Sequence, residues 1–516
     1  MHKILLDEEF IIKALKETNI QYKTLLDRLI KSPNELFLSS HQLPMIYSQL
    51  TKSQKDLFKH RYLKKIKAFS TTGKEALESL NFENSSITLA LIGFKRISQG
   101  EGIFITTKDK KEIPTFKGIK VLTPEGALEN QELFKEKIPE YIPLVDLAKE
   151  YRNLMEEIDN AILQAVAEAK YILGPQVREL EEKIADYVGT KYAVGVSSGT
   201  DALVISLRAL AIKNKKQEYW DKEDLIITTP LTFTATGDAI LRAGATPLFV
   251  DIDPETYTID PNQIEEAIKK YEKKIKGILP VHLYGHPADM TAIMELSKKY
   301  DLFVVEDCAQ SLGAKWEGKQ TGSFGDAGAF SFFPTKPLGG FGDGGMISTD
   351  DEELYEIMLM LRKHGGKDKY NVEHIGYNSR LDTLQAAILL AKFPYLDQMN
   401  EKRRQIAKIY NEALNNVEWI KTPYEHPKAY HIYHQYTIRI IGKDRDQVRK
   451  FLRKQGIQTM VYYPIPLHKM PLFIGKTYKI SDSITKVEQV CKEILSLGIH
   501  ENIRLEQIFA RNRYAF

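Results

Sequence analysis

Leu302-Phe-Val-Val-Glu-Asp-Cys-Ala-Gln310 is an apolar run that ends in two acidic residues, Glu306 and Asp307. Its β-branched centre is typical of a buried strand. An ionised carboxylate at the end of such a strand needs a partner, because an unpaired charge is strongly disfavoured in a low-dielectric setting. Two partners are open at this point: a cationic group in a ligand site, or the start of the next helix.

Similar apolar runs flank this strand on the amino-terminal side. Ala193–Val196 and Leu225–Thr228 are short and β-branched, and amphipathic windows of helical length separate them. This alternation predicts an α/β protein with a mostly parallel sheet. Ligand sites in open parallel sheets lie outside the carboxyl ends of the strands. We therefore expect a site where Asp307 ends its strand.

A first motif at such a strand end is Val196-Ser-Ser-Gly-Thr-Asp-Ala-Leu203. It predicts a strand that stops at a Ser/Gly turn and a helix that starts beside Thr200. Free amides at a helix start, with nearby hydroxyls, form a phosphate cradle. Ordinary helix capping by serine or threonine is the alternative for this tripeptide.

A second motif is the glycine-rich and aromatic stretch Gly328-Ala-Phe-Ser-Phe-Phe-Pro-Thr-Lys-Pro-Leu-Gly-Gly-Phe-Gly-Asp-Gly-Gly345. Lys336 is the one basic residue between positions 320 and 361. Apolar surroundings lower the pKa of a lysine and make its amine a nucleophile for a carbonyl cofactor. A solvated surface lysine is the alternative.

Composition bounds the function classes. The 516 residues carry 72 basic and 69 acidic side chains, a net charge of +3, which gives no reason to expect nucleic acid as the main ligand. Two distant cysteines exclude a disulfide framework and a zinc module, and no metal ligand set is predicted. No uncharged apolar run approaches the length of a membrane span, so we expect a cytoplasmic protein.

The cradle, Phe233, Asp307 and Lys336 follow one another in an order that resembles the DegT/DnrJ/StrS family of pyridoxal-phosphate sugar aminotransferases. The resemblance spans about residues 142 to 516 and includes further segments: Ile142-Pro-Leu-Val-Asp-Leu-Ala-Lys-Glu-Tyr151, Tyr171-Ile-Leu-Gly-Pro175, Asp251-Ile-Asp-Pro254, Pro280-Val-His-Leu-Tyr-Gly285, Gly376-Tyr-Asn-Ser-Arg-Leu-Asp-Thr-Leu-Gln385 and Tyr462-Tyr-Pro-Ile-Pro-Leu-His468. It implies the fold type I architecture. We expect a large cofactor-binding domain with a mostly parallel seven-stranded type of sheet at 142–394, and a small α+β domain at 395–516.

The resemblance also implies residue roles. Lys336 should form the Schiff base with pyridoxal phosphate and then move the proton, and Asp307 should keep the pyridine nitrogen protonated. The remaining cofactor contacts implied are a stacking ring, Phe233; a residue near the phenolic oxygen, Gln310; and phosphate contacts, Gly199, Thr200 and Ser331.

Partners follow from the same resemblance. Asn378 lies on the segment that reaches the phosphate across a dimer interface, so we expect a homodimer with shared active sites. Arg380 and His468 match positions that face the sugar nucleotide, although a salt bridge and a packed imidazole are open alternatives. The expected substrates are a nucleotide-linked keto sugar and an amino-acid donor, L-glutamate, with amination favoured at C3 over C4.

Two other functions stay open. Relatives on this scaffold dehydrate or deaminate sugars, and the dehydratase branch that lacks transamination replaces the lysine by histidine, whereas Lys336 is present here. A regulatory or RNA-binding protein with a ligand-sensing transaminase-like part is the second alternative. The complete pair of Asp307 and Lys336 favours the aminotransferase.

Residues 1–137 depart from that family and resemble a PIN-type nuclease domain of α/β fold. Lys3–Asp7 matches the opening strand, and 102–109 and 118–124 match the closing strands. Such nucleases gather three or four carboxylates around a divalent metal. Only Asp7 and Asp109 stand at suitable places, because 41–45 and 84–86 hold no acidic residue. We therefore expect a noncatalytic domain, and a bifunctional nuclease and aminotransferase is disfavoured.

Overall fold

The computed structural model describes residues 3–16, 20–31, 35–39, 42–59, 66–69, 94, 102–106, 119–129, 142–474, 478–480, 484–500 and 502–503. The chain separates into two compact units, Met1–Pro139 and Glu140–Phe516. No helix of the described ranges is long and apolar enough to cross a membrane.

The first unit contains one parallel sheet with strands in the order β3-β2-β1-β4-β5. Its strands are β1 Lys3–Leu6, β2 Glu35–Ser39, β3 Ile66–Phe69, β4 Gly102–Ile105 and β5 Ile119–Leu122. Its described helices are α1 Glu8–Leu15, α2 Ile20–Lys31, α3 Leu43–Gln49, α4 Lys52–Leu57 and α5 Pro124–Glu129. The three strands predicted near residues 3, 102 and 118 are present.

Asp7 directly follows the central strand β1 and is fully buried. The Thr106 hydroxyl, at the end of the neighbouring strand β4, donates to its Oδ2 at 3.0 Å. Asp109 and residues 84–86 lie outside the described residues. The nuclease resemblance of this unit therefore stays a prediction.

The second unit is built on an eight-stranded sheet in the order β19-β8-β7-β9-β10-β13-β14-β6. Its strands are β6 Tyr192–Val196, β7 Leu225–Thr228, β8 Thr246–Phe249, β9 Ile275–Ile278, β10 Phe303–Asp307, β13 Ala327–Ser331, β14 Gly345–Thr349 and the short edge strand β19 Lys479–Ile480. Only β14 runs antiparallel to its neighbours. The predicted mostly parallel sheet of the fold type I architecture is confirmed, with one edge strand added.

Helices cover both faces of this sheet, as the alternation of strands and amphipathic windows predicts. They are α6 Leu147–Asn153, α7 Met155–Glu168, α8 Pro175–Val188, α9 Gly199–Lys215, α10 Thr234–Arg242, α11 Pro261–Tyr271, α12 Met290–Tyr300, α13 Glu352–Leu361 and α14 Thr383–Lys392. Helix α9 is buried without interruption from Ala202 to Ile212, so it forms the centre of the core.

The carboxyl-terminal part of this unit carries a second sheet of four antiparallel strands, in the order β15-β17-β20-β18. These strands are β15 Ile420–Lys421, β17 Tyr436–Ile440, β18 Thr459–Met460 and β20 Ile494–Leu497; β11 Lys315–Trp316, β12 Lys319–Gln320 and β16 Ala429–Tyr430 form a third, small sheet. The helices of this part are α15 Leu396–Leu414, α16 Arg445–Lys454 and α17 Thr485–Glu493.

Candidate active site

A cavity of about 520 Å³ lies at the carboxyl ends of the parallel strands of the large sheet. Strand β10 ends there with Asp307, β13 ends with Ser331, and β6 is followed by Ser198. All seven residues that the sequence places around the cofactor of one chain line this cavity: Gly199, Thr200, Phe233, Asp307, Gln310, Ser331 and Lys336. The fold therefore brings together residues that are up to 137 positions apart in the sequence.

The predicted cradle is the amino terminus of α9. Ser198 caps this helix, because its Oγ accepts the backbone N–H of Asp201 at 3.1 Å. A Cβ at Gly199 would stand 2.6 Å from the Cβ of Ser331, so only glycine fits between the two strand ends. The open helix start and the missing side chain leave space and N–H donors for an anion.

Asp307 is 5% exposed and faces the cavity. Its Oδ2 accepts the Thr236 hydroxyl at 2.8 Å, and its Oδ1 accepts the Ala309 N–H at 3.2 Å. Burial raises the pKa of the Asp307 carboxyl, while those hydrogen bonds and the positive charge of Lys336 act against the shift. The site therefore favours a cationic partner for this carboxylate.

Lys336 follows β13 within the same wall of the cavity. Burial lowers the pKa of its amine to about 8, and the negative charge of Asp307 limits the shift. The activated lysine stays a prediction, and it is the burial of Lys336 in the fold that lowers the pKa of its amine.

Gln310 and Phe233 form the opposite side of the cavity. The Gln310 side chain accepts the Tyr284 N–H at 2.7 Å and donates to the Tyr463 hydroxyl at 3.2 Å, which fixes its orientation. The Phe233 ring is 56% exposed and lies 6.0 Å from the ring of Tyr463. An exposed aromatic ring in a cavity is available to stack on a planar ligand.

Asn378, Arg380 and His468 do not line this cavity. The Arg380 guanidinium donates to the side-chain oxygen of Asn378, and Asn378 is exposed. His468 is buried and its Nε2 pairs with Glu488 at 3.1 Å. Burial lowers the pKa of His468 and Glu488 opposes that effect.

A second buried group lies behind Asp307: His282, Glu306 and Cys308 approach each other within metal-binding distance. The Ala288 N–H donates to His282 Nδ1 at 3.0 Å, so Nε2 carries the proton and donates to Glu306 at 3.0 Å. Three backbone N–H groups also donate to the Glu306 carboxylate, those of Gly322, Phe324 and Gly325. These hydrogen bonds occupy His282 and Glu306 within the fold, so we interpret the two residues as a structural pair and not as metal ligands.

Three residues of the site were not assigned a role from the sequence: Thr236, which is buried and donates its hydroxyl to Asp307, and two residues that line the cavity, His434 and Tyr463. Thr236 lies four residues after Thr232, and the two hydroxyls are 2.8 Å apart, which is a helical spacing that could have signalled it. Burial and the nearby Lys336 hold the pKa of His434 well below its ordinary value. Tyr463 lies on the segment Tyr462–His468 of the family resemblance, which assigned it no role, and no local pattern marks His434.

Comparisons with known proteins identify relatives of this chain. The chain is 45% identical over 368 residues to the "Pleiotropic regulatory protein" of Geobacillus stearothermophilus, with 71% of this chain and 95% of the relative covered. It is 43% identical over 368 residues to the UDP-N-acetyl-3-dehydro-alpha-D-glucosamine 3-aminotransferase of Acidithiobacillus ferrooxidans, with the same coverage.

A solved structure, S. venezuelae DesV in complex with a ketimine intermediate, superposes with a TM-score of 0.68 at 37% identity and covers 73% of this chain and 98% of its own. The model of the DegT/DnrJ/EryC1/StrS aminotransferase family matches residues 152–510. With the cradle, Asp307 and Lys336 in one cavity of a fold type I sheet, this chain belongs to the DegT/DnrJ/EryC1/StrS aminotransferase family and is an enzyme of the transaminase class.

Proposed function

We propose that this chain transfers an amino group from L-glutamate to C3 of a nucleotide-linked 3-keto sugar. The observation that carries the proposal is the pair of a buried carboxylate, Asp307, and an amine of lowered pKa, Lys336, on the wall of one cavity. The 43% identical relative, named as a 3-aminotransferase of a UDP-linked 3-dehydro sugar, supports the substrate class and the position.

The residues present fit pyridoxal phosphate. The start of α9 with Gly199 and Thr200 would hold the phosphate, Asp307 would pair with the pyridine nitrogen, and Phe233 would cover the ring. When bound, this cofactor supplies an electron-withdrawing ring next to the substrate carbon. The pocket of about 520 Å³ is within the range of ligand-binding pockets.

Lys336 acts through its Nζ. At a pKa of about 8, roughly a tenth of the amines are neutral at pH 7, compared with fewer than about one in a thousand for an ordinary lysine. A neutral Nζ can attack a carbonyl carbon and can accept a proton from a neighbouring carbon. The fold therefore prepares this one side chain both to hold the cofactor and to move the proton.

Asp307 acts by its charge. Its two hydrogen bonds, from Thr236 and Ala309, favour the ionised form, whereas its burial makes an unpaired negative charge unfavourable. A protonated ring nitrogen placed against Asp307 relieves that cost. The carboxylate thereby keeps the proton on the nitrogen.

We also propose a homodimer with shared active sites. Asn378 and Arg380 are hydrogen-bonded to each other outside the cavity of their own chain, where a second copy can meet them. Nearby side chains are apolar and exposed: Ile375 is 60% exposed and Ile172, whose backbone bridges Asp382, is 53% exposed. An apolar surface beside polar site residues is typical of a protein interface.

The regulatory alternative has one observation in its favour: the 45% identical relative is named as a pleiotropic regulatory protein. A ligand-sensing protein does not need both an activated amine and its paired carboxylate, so the cavity favours catalysis. A dehydratase or deaminase would use the same cavity residues, so the geometry does not separate these reactions from transamination. The experiment below does.

The proposal is tested by the visible absorbance of cofactor-loaded protein during titration with L-glutamate. We expect conversion of the bound cofactor to its amine form, and reversal when a nucleotide-linked 3-keto sugar is added. Lys336→Ala is the matched control and should show neither change. Release of ammonia without an aminated sugar would contradict transamination and favour deamination.

For the predicted domain at residues 1–137 we propose a separate noncatalytic role, and we keep the cytoplasmic location as a prediction. The Oδ2 of buried Asp7 accepts a hydroxyl from Thr106, which is a structural use of this carboxylate. Cleavage of single-stranded RNA by the purified chain in Mn²⁺ would contradict a noncatalytic role.

A further inference from the structure

The guanidinium of Arg208 is fully buried in the third turn of α9, the helix whose start forms the cradle. Its Nη2 donates to the carboxylate of Glu218 at 2.6 Å, and its Nε donates to the backbone oxygen of Glu218 at 2.9 Å. The ring of Tyr219 covers it at 4.1 Å. The buried guanidinium therefore holds Glu218 at two points, its carboxylate and its backbone oxygen, and this fixes the geometry of the two residues.

Both members of the pair also hold the segment that precedes Asn378. Arg208 Nη1 donates to the backbone oxygen of Ile375 at 2.6 Å and to the Tyr377 hydroxyl at 3.2 Å. Glu218 accepts the Ile375 N–H at 3.1 Å.

Glu218 makes one more contact with this segment, because its second oxygen pairs with His374 Nδ1 at 2.8 Å. Four hydrogen bonds therefore converge on the stretch His374–Tyr377. Beyond that stretch the chain reaches Asn378 and Arg380 directly, and neither residue contributes to the cavity of its own chain.

We propose that Arg208 and Glu218 are positioning residues for the active site of a second copy of this chain: they fix His374–Tyr377 so that Asn378 is presented to the phosphate in the partner's cavity. This inference rests on the proposed homodimer with shared sites. One helix would then serve two cavities, its own through Gly199 and the other through Arg208.

The first test is the affinity of cofactor-free protein for pyridoxal phosphate, followed by fluorescence. We expect Glu218→Gln to weaken this affinity about tenfold, the effect of one misplaced hydrogen bond to a charged group. Arg208→Lys keeps the positive charge but loses the several N–H donors of the guanidinium, and it should also weaken the binding of pyridoxal phosphate. The second variant keeps the test informative if the first folds poorly.

Glu493→Gln is the matched control. Glu493 pairs with Arg439 at 2.7 Å, both side chains are mostly buried, and neither residue lines the cavity. We expect this variant to bind the cofactor as the wild type does. Equal weakening by Glu493→Gln and Glu218→Gln would overturn the proposal, since it would reflect general destabilisation.

The second test uses hybrid dimers purified with two tags, and it begins with Lys336→Ala combined with Asn378→Ala. One cavity of this hybrid has an intact Lys336 and an intact Asn378 from the other chain, so we expect about half of the wild-type turnover with L-glutamate. An inactive hybrid would remove the shared site and this inference with it.

The hybrid of Lys336→Ala with Glu218→Gln then tests the inference alone. The one cavity of this hybrid that keeps Lys336 belongs to the Glu218→Gln chain. It receives the segment His374–Tyr377 from the other chain, in which Glu218 is intact. At limiting pyridoxal phosphate, where turnover follows cofactor affinity, we expect that cavity to turn over as in the wild type, about tenfold faster than a cavity of the Glu218→Gln homodimer. Persistence of the defect, after success of the Asn378 hybrid, would show that Glu218 acts within its own cavity and would overturn the inference.

Discussion

Two neighbouring acids, Glu306 and Asp307, end the same strand and are used in opposite ways. Both are buried, at 0% and 5% exposure. Successive side chains of a strand point to opposite faces, so the two carboxylates lie in different surroundings. Glu306 accepts hydrogen bonds from His282 and from three backbone N–H groups, whereas Asp307 accepts one from Thr236 and one from Ala309.

This difference separates a structural acid from a functional one. An ionised carboxylate has room for about four hydrogen bonds, and Glu306 uses all of them within the fold. Asp307 uses half of them and turns the remainder toward a cavity where Lys336 is the nearby cation. Unused accepting capacity at a buried charge marks the residue that awaits a ligand.

Among the substitutions that test this difference between Glu306 and Asp307, Asp307→Asn should have the largest effect on the rate. We expect the rate of the half-reaction with L-glutamate to fall about 10³-fold, because the ring nitrogen loses its counter-charge. The fold should keep its stability, since burial already disfavours the carboxylate and an amide can accept from Ala309 and donate toward Thr236. Stopped-flow absorbance measures the rate.

Stability is measured by urea unfolding with tryptophan fluorescence, which reports on the second unit because all three tryptophans, Trp220, Trp316 and Trp419, lie in it. A fall in the free energy of unfolding that is large enough to explain the loss of activity would contradict a purely functional role for Asp307.

Glu306→Gln should show the reverse pattern. In either orientation the amide places its NH₂ group against two of the four donors, so two buried N–H groups lose their acceptor. We expect the free energy of unfolding to fall by about 3 kcal/mol, and the rate per folded molecule to change little. The same urea and stopped-flow measurements apply, with Asp307→Asn as the crossed control. A rate loss as large as that of Asp307→Asn would refute the division of roles.

The sequence predicts much of the fold because the strands are short β-branched runs and the helices between them are amphipathic. The predicted strand at Leu225–Thr228 has the same bounds in the structure, and the strand predicted at Ala193–Val196 begins one residue earlier, at Tyr192.

The site was predictable only where a residue sits on a motif. Asp307 and Lys336 end or follow strands with a recognisable pattern, and the family resemblance assigns their roles. Tyr463 reaches Gln310 from 153 residues away, and no periodicity encodes such a contact. The division of labour between Glu306 and Asp307 likewise depends on which loops donate N–H groups, which strand propensity does not specify.

The smallest effect expected concerns Lys336 and Asp307, which face the cavity, and it is the pH dependence of the free energy of unfolding. The pKa of Lys336 is about 8 in the folded protein and about 10.5 when unfolded, so between these values the unfolded state binds more protons. Stability must therefore rise with pH in this window. We expect cofactor-free wild type to gain about 2 kcal/mol over Lys336→Met between pH 7.5 and 9.5.

The comparison with Lys336→Met isolates this lysine, because methionine has a similar length and no charge. Urea unfolding at pH 7.5 and 9.5, followed by tryptophan fluorescence, measures the difference between the two proteins at each pH. A difference that stays constant would mean that Lys336 keeps its ordinary pKa in the fold, and it would contradict the prediction. Glu306 and His282 are present in both proteins, so their contribution to the pH dependence of stability cancels. The difference therefore reports only on Lys336 beside Asp307.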